Sequence, residues 1–112
     1  MIVITPEAAK QIRQSAEITN SQNMHLRIGV RREDDGTYTY GMGFDEMGED
    51  DALLASEGIN IIVANASKDF LMGATIDFVE IGSGEHRFIF VNPNDPTHTA
   101  ASAQGNNEPK SG

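Results

Sequence analysis

The residues with the chemistry to bind or react are concentrated in one stretch, Arg31-Arg32-Glu33-Asp34-Asp35-Gly36, which sets two guanidinium groups against three carboxylates and a glycine. Close carboxylates suit a hard cation or proton transfer. A helix-loop-helix calcium loop, however, needs acids at alternate positions followed by a distal glutamate, and neither this cluster nor Asp45 to Asp51 has that spacing. Consecutive acids point in different directions, so a solvated charged turn is the simpler reading. His25, His86 and His98 stand in separate segments, without the i, i+4 pairing that brings two imidazoles to one metal. Ser56, Ser67 and Ser83 have no elbow motif and no assignable base. The chain holds no cysteine, which excludes thiolate nucleophiles, disulfides, zinc-thiolate sites and all-thiolate iron-sulfur ligation. The expectation is a protein that is not an enzyme and has no cofactor.

The formal charge of -9 is localised. Glu33 to Glu57 holds nine acids (Glu33, Asp34, Asp35, Asp45, Glu46, Glu49, Asp50, Asp51, Glu57) and no Lys or Arg. Phosphate contacts need clustered cations, and Arg31-Arg32 is the one adjacent basic pair, so no direct nucleic-acid binding is expected. No apolar run approaches the roughly 18 residues of a membrane span, and Met1-Ile2-Val3-Ile4 lacks a basic leader or cleavage site. A cytoplasmic protein with no membrane association is the expectation.

These residues must be positioned by a small set of elements. A chain of 112 residues with 38% hydrophobic content supports one modest core. Thr5-Pro6-Glu7 is a helix start, with Thr as cap, Pro at the first helical position and an acid at the positive dipole end; the helix should end near Asn20. Met24, Leu26, Ile28 and Val30 alternate with polar or small residues, as do Tyr38, Tyr40, Met42 and Phe44, predicting two half-buried strands joined by the acidic turn. Gly41 and Gly43 fall on the outer face of the second strand and suggest a bulge or a close backbone approach. Asp45 to Asp51 reads as a loop before a short apolar piece, Ala52 to Ala55, and Ile59 to Val63 as a strand. Asn65 is expected to cap a short helix that Gly73 stops, and Thr75 to Ile81 with His86 to Val91 to form a second hairpin. Residues 95 to 112 contain no Val, Ile, Leu, Met or aromatic residue, which predicts a disordered tail.

Four words in order, "ITPEAAKQI" at the start, "LRIGVR" at Leu26 to Arg31, "GATIDFVE" at Gly73 to Glu80 and "FIFVNPN" at Phe88 to Asn94, resemble the A-type iron-sulfur carrier family of IscA, HesB and ErpA-like proteins. The resemblance runs from Ile2 to Asn94. It implies a HesB-like fold and cluster ligation by three cysteines, one in the loop after "LRIGVR" and two in a Cys-Gly-Cys after "NPN". Aligned onto this chain, those positions carry Asp35, Thr99 and Ala101. Iron in a cluster prefers soft thiolate ligands, and neither a threonine hydroxyl nor an alanine methyl replaces them. Among cysteine-less relatives the chain looks most like the DsrR-type proteins of sulfur-oxidising bacteria.

The expected architecture is α+β and mainly β. It has a twisted β-sandwich-like core, an N-terminal helix and one short central helix, forming a single domain over residues 1–94 with a disordered tail over 95–112. The expected function is that of an A-type-like protein without cluster-binding cysteines. It would act as an interaction or regulatory module, with dissimilatory sulfur oxidation as the setting the resemblance implies. It would contact a protein partner through Glu33, Asp34 and Asp35. The alternative is an iron carrier or iron-sulfur assembly factor using oxygen and nitrogen ligands such as Asp35 and His98.

Overall fold

Alternating apolar residues form two antiparallel hairpins, each of which seeds a four-stranded sheet in the computed structural model, where residues 1–95 and the backbone of Ala101–Ser102 are described. In the first sheet β2 (His25–Arg32) pairs with β3 (Tyr38–Asp45), placing Leu26 opposite Phe44 and Ile28 opposite Met42. The other two strands are β4 (Asp51–Ser56) and β5 (Ile59–Ala64); β5 lies parallel to β2 and pairs antiparallel with β4, giving the order β3-β2-β5-β4. The second sheet is built on β6 (Thr75–Gly82) and β7 (Glu85–Val91). It is flanked by β1 (Val3–Ile4), parallel to β6, and β8 (Ala101–Ser102), antiparallel to β7.

Helix α1 (Pro6–Ile18) starts where the sequence signals it: the Thr5 hydroxyl accepts from the Ala8 N–H at 3.2 Å, and Pro6 occupies the first turn. Ala8, Ala9 and Ile12 are its buried face. Asn20, at φ 58°, turns the chain just after the helix. Ile4, Ile28, Ile61, Val63, Leu71, Ile76 and Phe90 are all buried to within 2% of full coverage in one core. Each such side chain contributes about 1.5–3 kcal/mol relative to leaving it in water. This is the mainly β, two-helix, two-sheet architecture expected.

Several local expectations are corrected. Val3 and Ile4, for which no strand was expected, form β1 against Thr75 and Ile76. The apolar piece Ala52 to Ala55 is the body of an edge strand. Asn65 does not cap: it begins a 3-10 turn, Asn65–Ser67, whose start has no side-chain cap, and α2 (Lys68–Leu71) follows. Gly41 and Gly43 mark neither a bulge nor a close approach, since the β2/β3 register runs unbroken and a Cβ at either would meet nothing within 4 Å. The disordered tail does not begin at residue 95. Asp95 is 4% exposed because it is hydrogen-bonded into the core edge, and Ala101–Ser102 adds a strand to β7. Residues 96–100 and 103–112 lie outside the described residues, and His98 and Thr99 with them.

Candidate functional site

The acidic cluster is built as a hairpin tip. Glu33 N–H donates to the Thr37 carbonyl at 2.7 Å and Gly36 N–H to the Glu33 carbonyl at 2.9 Å, closing a turn that needs the positive φ of Gly36, 88°. Asp35 accepts from both the backbone N–H (3.0 Å) and the hydroxyl (2.7 Å) of Thr37. Glu33 accepts from the Thr39 hydroxyl at 2.6 Å and from Arg31 Nε at 3.0 Å. These bonds favour the charged carboxylates. Thr39 and then Arg31 hold Glu33 below the usual carboxylate range, and Thr37 does the same for Asp35. Two of the three acids are therefore occupied in shaping their own turn, while Asp34 and Asp35 are exposed.

The other expected ligand positions are not gathered around it. His25 sits opposite Asp45 in the first sheet; His86 sits opposite Glu80 in the second and stacks on Phe78 at 5.5 Å. Ala101 opens β8, which approaches β3 to within 8 Å between Cα atoms. Among the described residues no three His, Asp or Glu side chains come together to hold a metal ion. A hydroxylated, a methyl and a carboxylate side chain at the three positions implied by the resemblance offer no soft donor, so the residues present do not fit an iron-sulfur cluster.

Two polar clusters escaped the sequence reading. In the first, Tyr40 stacks on Phe90 with ring centroids 4.5 Å apart and donates its hydroxyl proton to Asp95 at 2.8 Å. The Asn92 amide donates to the same hydroxyl at 3.2 Å and to the Phe70 carbonyl at 2.7 Å, and the Asn94 amide donates to the Met72 carbonyl at 2.7 Å. Burial, and then the Asp95 carboxylate, push the Tyr40 phenol well above its ordinary range. The word "NPND" thus fastens the chain leaving β7 to β3 and α2, at the threshold of the segment in which the family's paired cysteines would fall. A tyrosine at an inward strand position needs a partner for its hydroxyl, and that was the available signal.

In the second cluster, Arg27 on the outer face of β2 makes a two-pronged contact with Asp51, Nη1 at 2.9 Å and Nη2 at 2.6 Å, while its Nε reaches Asp45 at 2.6 Å. Asp51 also accepts from Gly48 N–H at 2.7 Å, and its side chain is 7% exposed. Hydrogen bonding to Arg27 lowers the Asp51 carboxyl to about 2 and raises the guanidinium above its ordinary value. The loop Asp45 to Asp51 is thereby fixed to the sheet.

A capped helix on two four-stranded sheets, with the C-terminal strand β8 of one sheet close to β3 of the other, defines an A-type scaffold. The chain belongs to the iron-sulphur cluster biosynthesis family, whose model matches residues 1–96. It is 34% identical over 97 residues to the iron-sulfur cluster insertion protein ErpA of Ruthia magnifica subsp. Calyptogena magnifica, covering 86% of this chain and 82% of that one. It is 36% identical to the ErpA of Alkalilimnicola ehrlichii, covering 86% and 79%. Among solved structures it is similar to IscA with its [2Fe-2S] cluster (TM-score 0.70, 28% identity, 83% and 86% covered). It is also similar to Escherichia coli SufA (TM-score 0.66, 28% identity, 82% and 80% covered).

Proposed function

We propose that this chain is a non-catalytic member of the iron-sulphur cluster biosynthesis family that carries no cluster and acts by docking a protein partner. One observation carries the reading: the family fold is complete, while the positions implied as cluster ligands hold Asp35, Thr99 and Ala101 in a chain without cysteine. Relatives are named as cluster insertion proteins, and insertion brings a carrier against a recipient; a scaffold without cargo retains the docking half of that task. The acidic segment, with its tip at Glu33, Asp34 and Asp35, is the contact surface. The protein works in the cytoplasm as a regulatory module, with dissimilatory sulfur oxidation as the setting that the resemblance to DsrR-type proteins supports.

Anaerobic titration with ferrous iron tests this reading against an iron carrier. Docking predicts weak binding without defined stoichiometry, unchanged by Asp35→Ala with His98→Ala, because the Asp35 carboxylate already serves Thr37. Stoichiometric iron binding abolished by that double substitution would replace the docking reading with the carrier.

A further inference from the structure

We infer that the open edge of β4 is a docking site for an extended segment of a partner protein, about six residues long, apolar or β-branched in its middle and lysine- or arginine-bearing at both ends. The inference rests on the docking role above and adds to the acidic tip a second contact, at the opposite edge of the same sheet, with a stated partner chemistry.

The phase of the β4/β5 ladder identifies the free groups. Asn65 N–H donates to the Asp50 carbonyl at 2.8 Å, and hydrogen-bonded pairs alternate along an antiparallel ladder, so Ala52, Leu54 and Ser56 bond to β5. Leu53 and Ala55 therefore turn their N–H and C=O groups outward, at the end of the strand order β3-β2-β5-β4, where no described residue bonds them. The β1 edge is treated differently: its outward Ile4 N–H is taken up by the Ser56 hydroxyl at 2.9 Å.

Sheet edges are ordinarily protected by lysine, proline, bulges or a covering element. Asp51-Ala52-Leu53-Leu54-Ala55-Ser56 has no lysine or proline, and its register to β5 is unbroken over all six residues. Its one charge is committed to Arg27. Leu53 is 52% exposed on the outer face. An edge of this kind accepts an added strand, whose main-chain bonds give affinity and whose side chains give specificity.

Charge selects the occupant. Exposed acids bracket the strand, Glu49 and Asp50 before it and Glu57 after it. Arg13 donates to the Glu57 main-chain carbonyl, which leaves the carboxylate uncommitted by that contact. A second copy of β4 added antiparallel would bring Glu49 and Asp50 against Glu57 at both ends, a like-charge arrangement that opposes self-pairing. A strand with cationic ends meets opposite charge at both ends.

The test uses the full chain and three labelled peptides read by fluorescence anisotropy. Each has a Val-Thr-Val-Thr-Val centre: one with paired lysines at both ends, one with paired glutamates, and one lysine-ended with proline as its central residue. The lysine-ended peptide should bind and the other two should bind at least roughly tenfold more weakly, since proline removes a ladder bond and glutamate reverses the end charges. Ala55→Pro removes an outward N–H that β5 does not use; it should leave the thermal midpoint near that of the parent chain and weaken binding by about tenfold or more. Leu53→Lys provides the same test by edge charge should Ala55→Pro fail to fold. Equal binding of the lysine-ended and proline-interrupted peptides, or unchanged affinity in the variants, would overturn the inference. A concentration-dependent dimer lost in Ala55→Pro would instead assign the edge to a second copy. No iron enters these measurements, so their failure is distinguishable from failure of the docking role.

Discussion

At Tyr40 one hydroxyl donates to Asp95 and accepts from Asn92 inside the core edge. Removing it leaves buried polar groups without that partner, so Tyr40→Phe should cost about 1–3 kcal/mol in a urea unfolding series. An unchanged midpoint would show that the cluster does not anchor the chain after β7. Because Asp95 belongs to this cluster, truncation after Asn94 should also destabilise, contrary to what the polar composition of the tail implies. Asp51 gives a pH signature. Its folded carboxyl titrates at about 2 against an ordinary 3.8, so the folded state holds it charged while the unfolded chain takes up a proton. The stability this contributes is fully present above about pH 3.8 and is lost as pH falls towards about 2. Asp51→Asn should flatten that part of the acid-stability curve measured by circular dichroism; an unaltered slope there would contradict the role of the Arg27 contact. Neither site was legible beforehand, because each partner lies far along the chain: 55 residues separate Tyr40 from Asp95 and 24 separate Arg27 from Asp51.

Elements with a local signal were legible. The alternation around Leu26 to Val30 and Tyr38 to Phe44 gave β2 and β3, and Thr5-Pro6-Glu7 gave the start of α1. Thr5 does double duty, accepting from Ala8 N–H and donating to Asp77 at 2.7 Å. Thr5→Ala should therefore cost about 0.5–2 kcal/mol by thermal or denaturant unfolding, towards the upper end because two bonds are lost. A loss below the lower figure would mean the cap is dispensable. β1 and β4 were illegible for a physical reason. A two-residue strand has no period, and it exists because Val3 and Ile4 find Thr75 and Ile76 across 72 residues; Ala52 to Ala55 is apolar throughout and gives no alternation to read. The strand glycines were misread in the opposite sense. Gly43 has open space around its would-be Cβ and no positive φ, so Gly43→Ala should be neutral to stabilising by up to about 1 kcal/mol. Marked destabilisation would restore the idea of a close approach at that position.

Over the whole molecule, two levels of sequence information diverge. The four family words are carried by residues that build the fold: Ile4, Ala8, Ala9 and Ile12 in the first, Leu26 and Ile28 in the second, Ile76 in the third, Phe90 and Asn92 in the last, all buried. Of the three positions that the resemblance implies as cluster ligands, Asp35 lies exposed in the hairpin tip, outside the core, and no cysteine stands at any of them. The central claim, a retained A-type scaffold without cluster ligation, is tested most directly by anaerobic reconstitution with ferrous iron and sulfide. Visible absorption and bound iron per chain would be read for the full chain beside a variant carrying Asp35→Cys, Thr99→Cys and Ala101→Cys. The account predicts no chromophore for the unsubstituted chain and a protein-bound chromophore for the triple variant. A stoichiometric chromophore in the unsubstituted chain would contradict the loss of ligation, and a colourless triple variant would contradict the retained scaffold around those three positions.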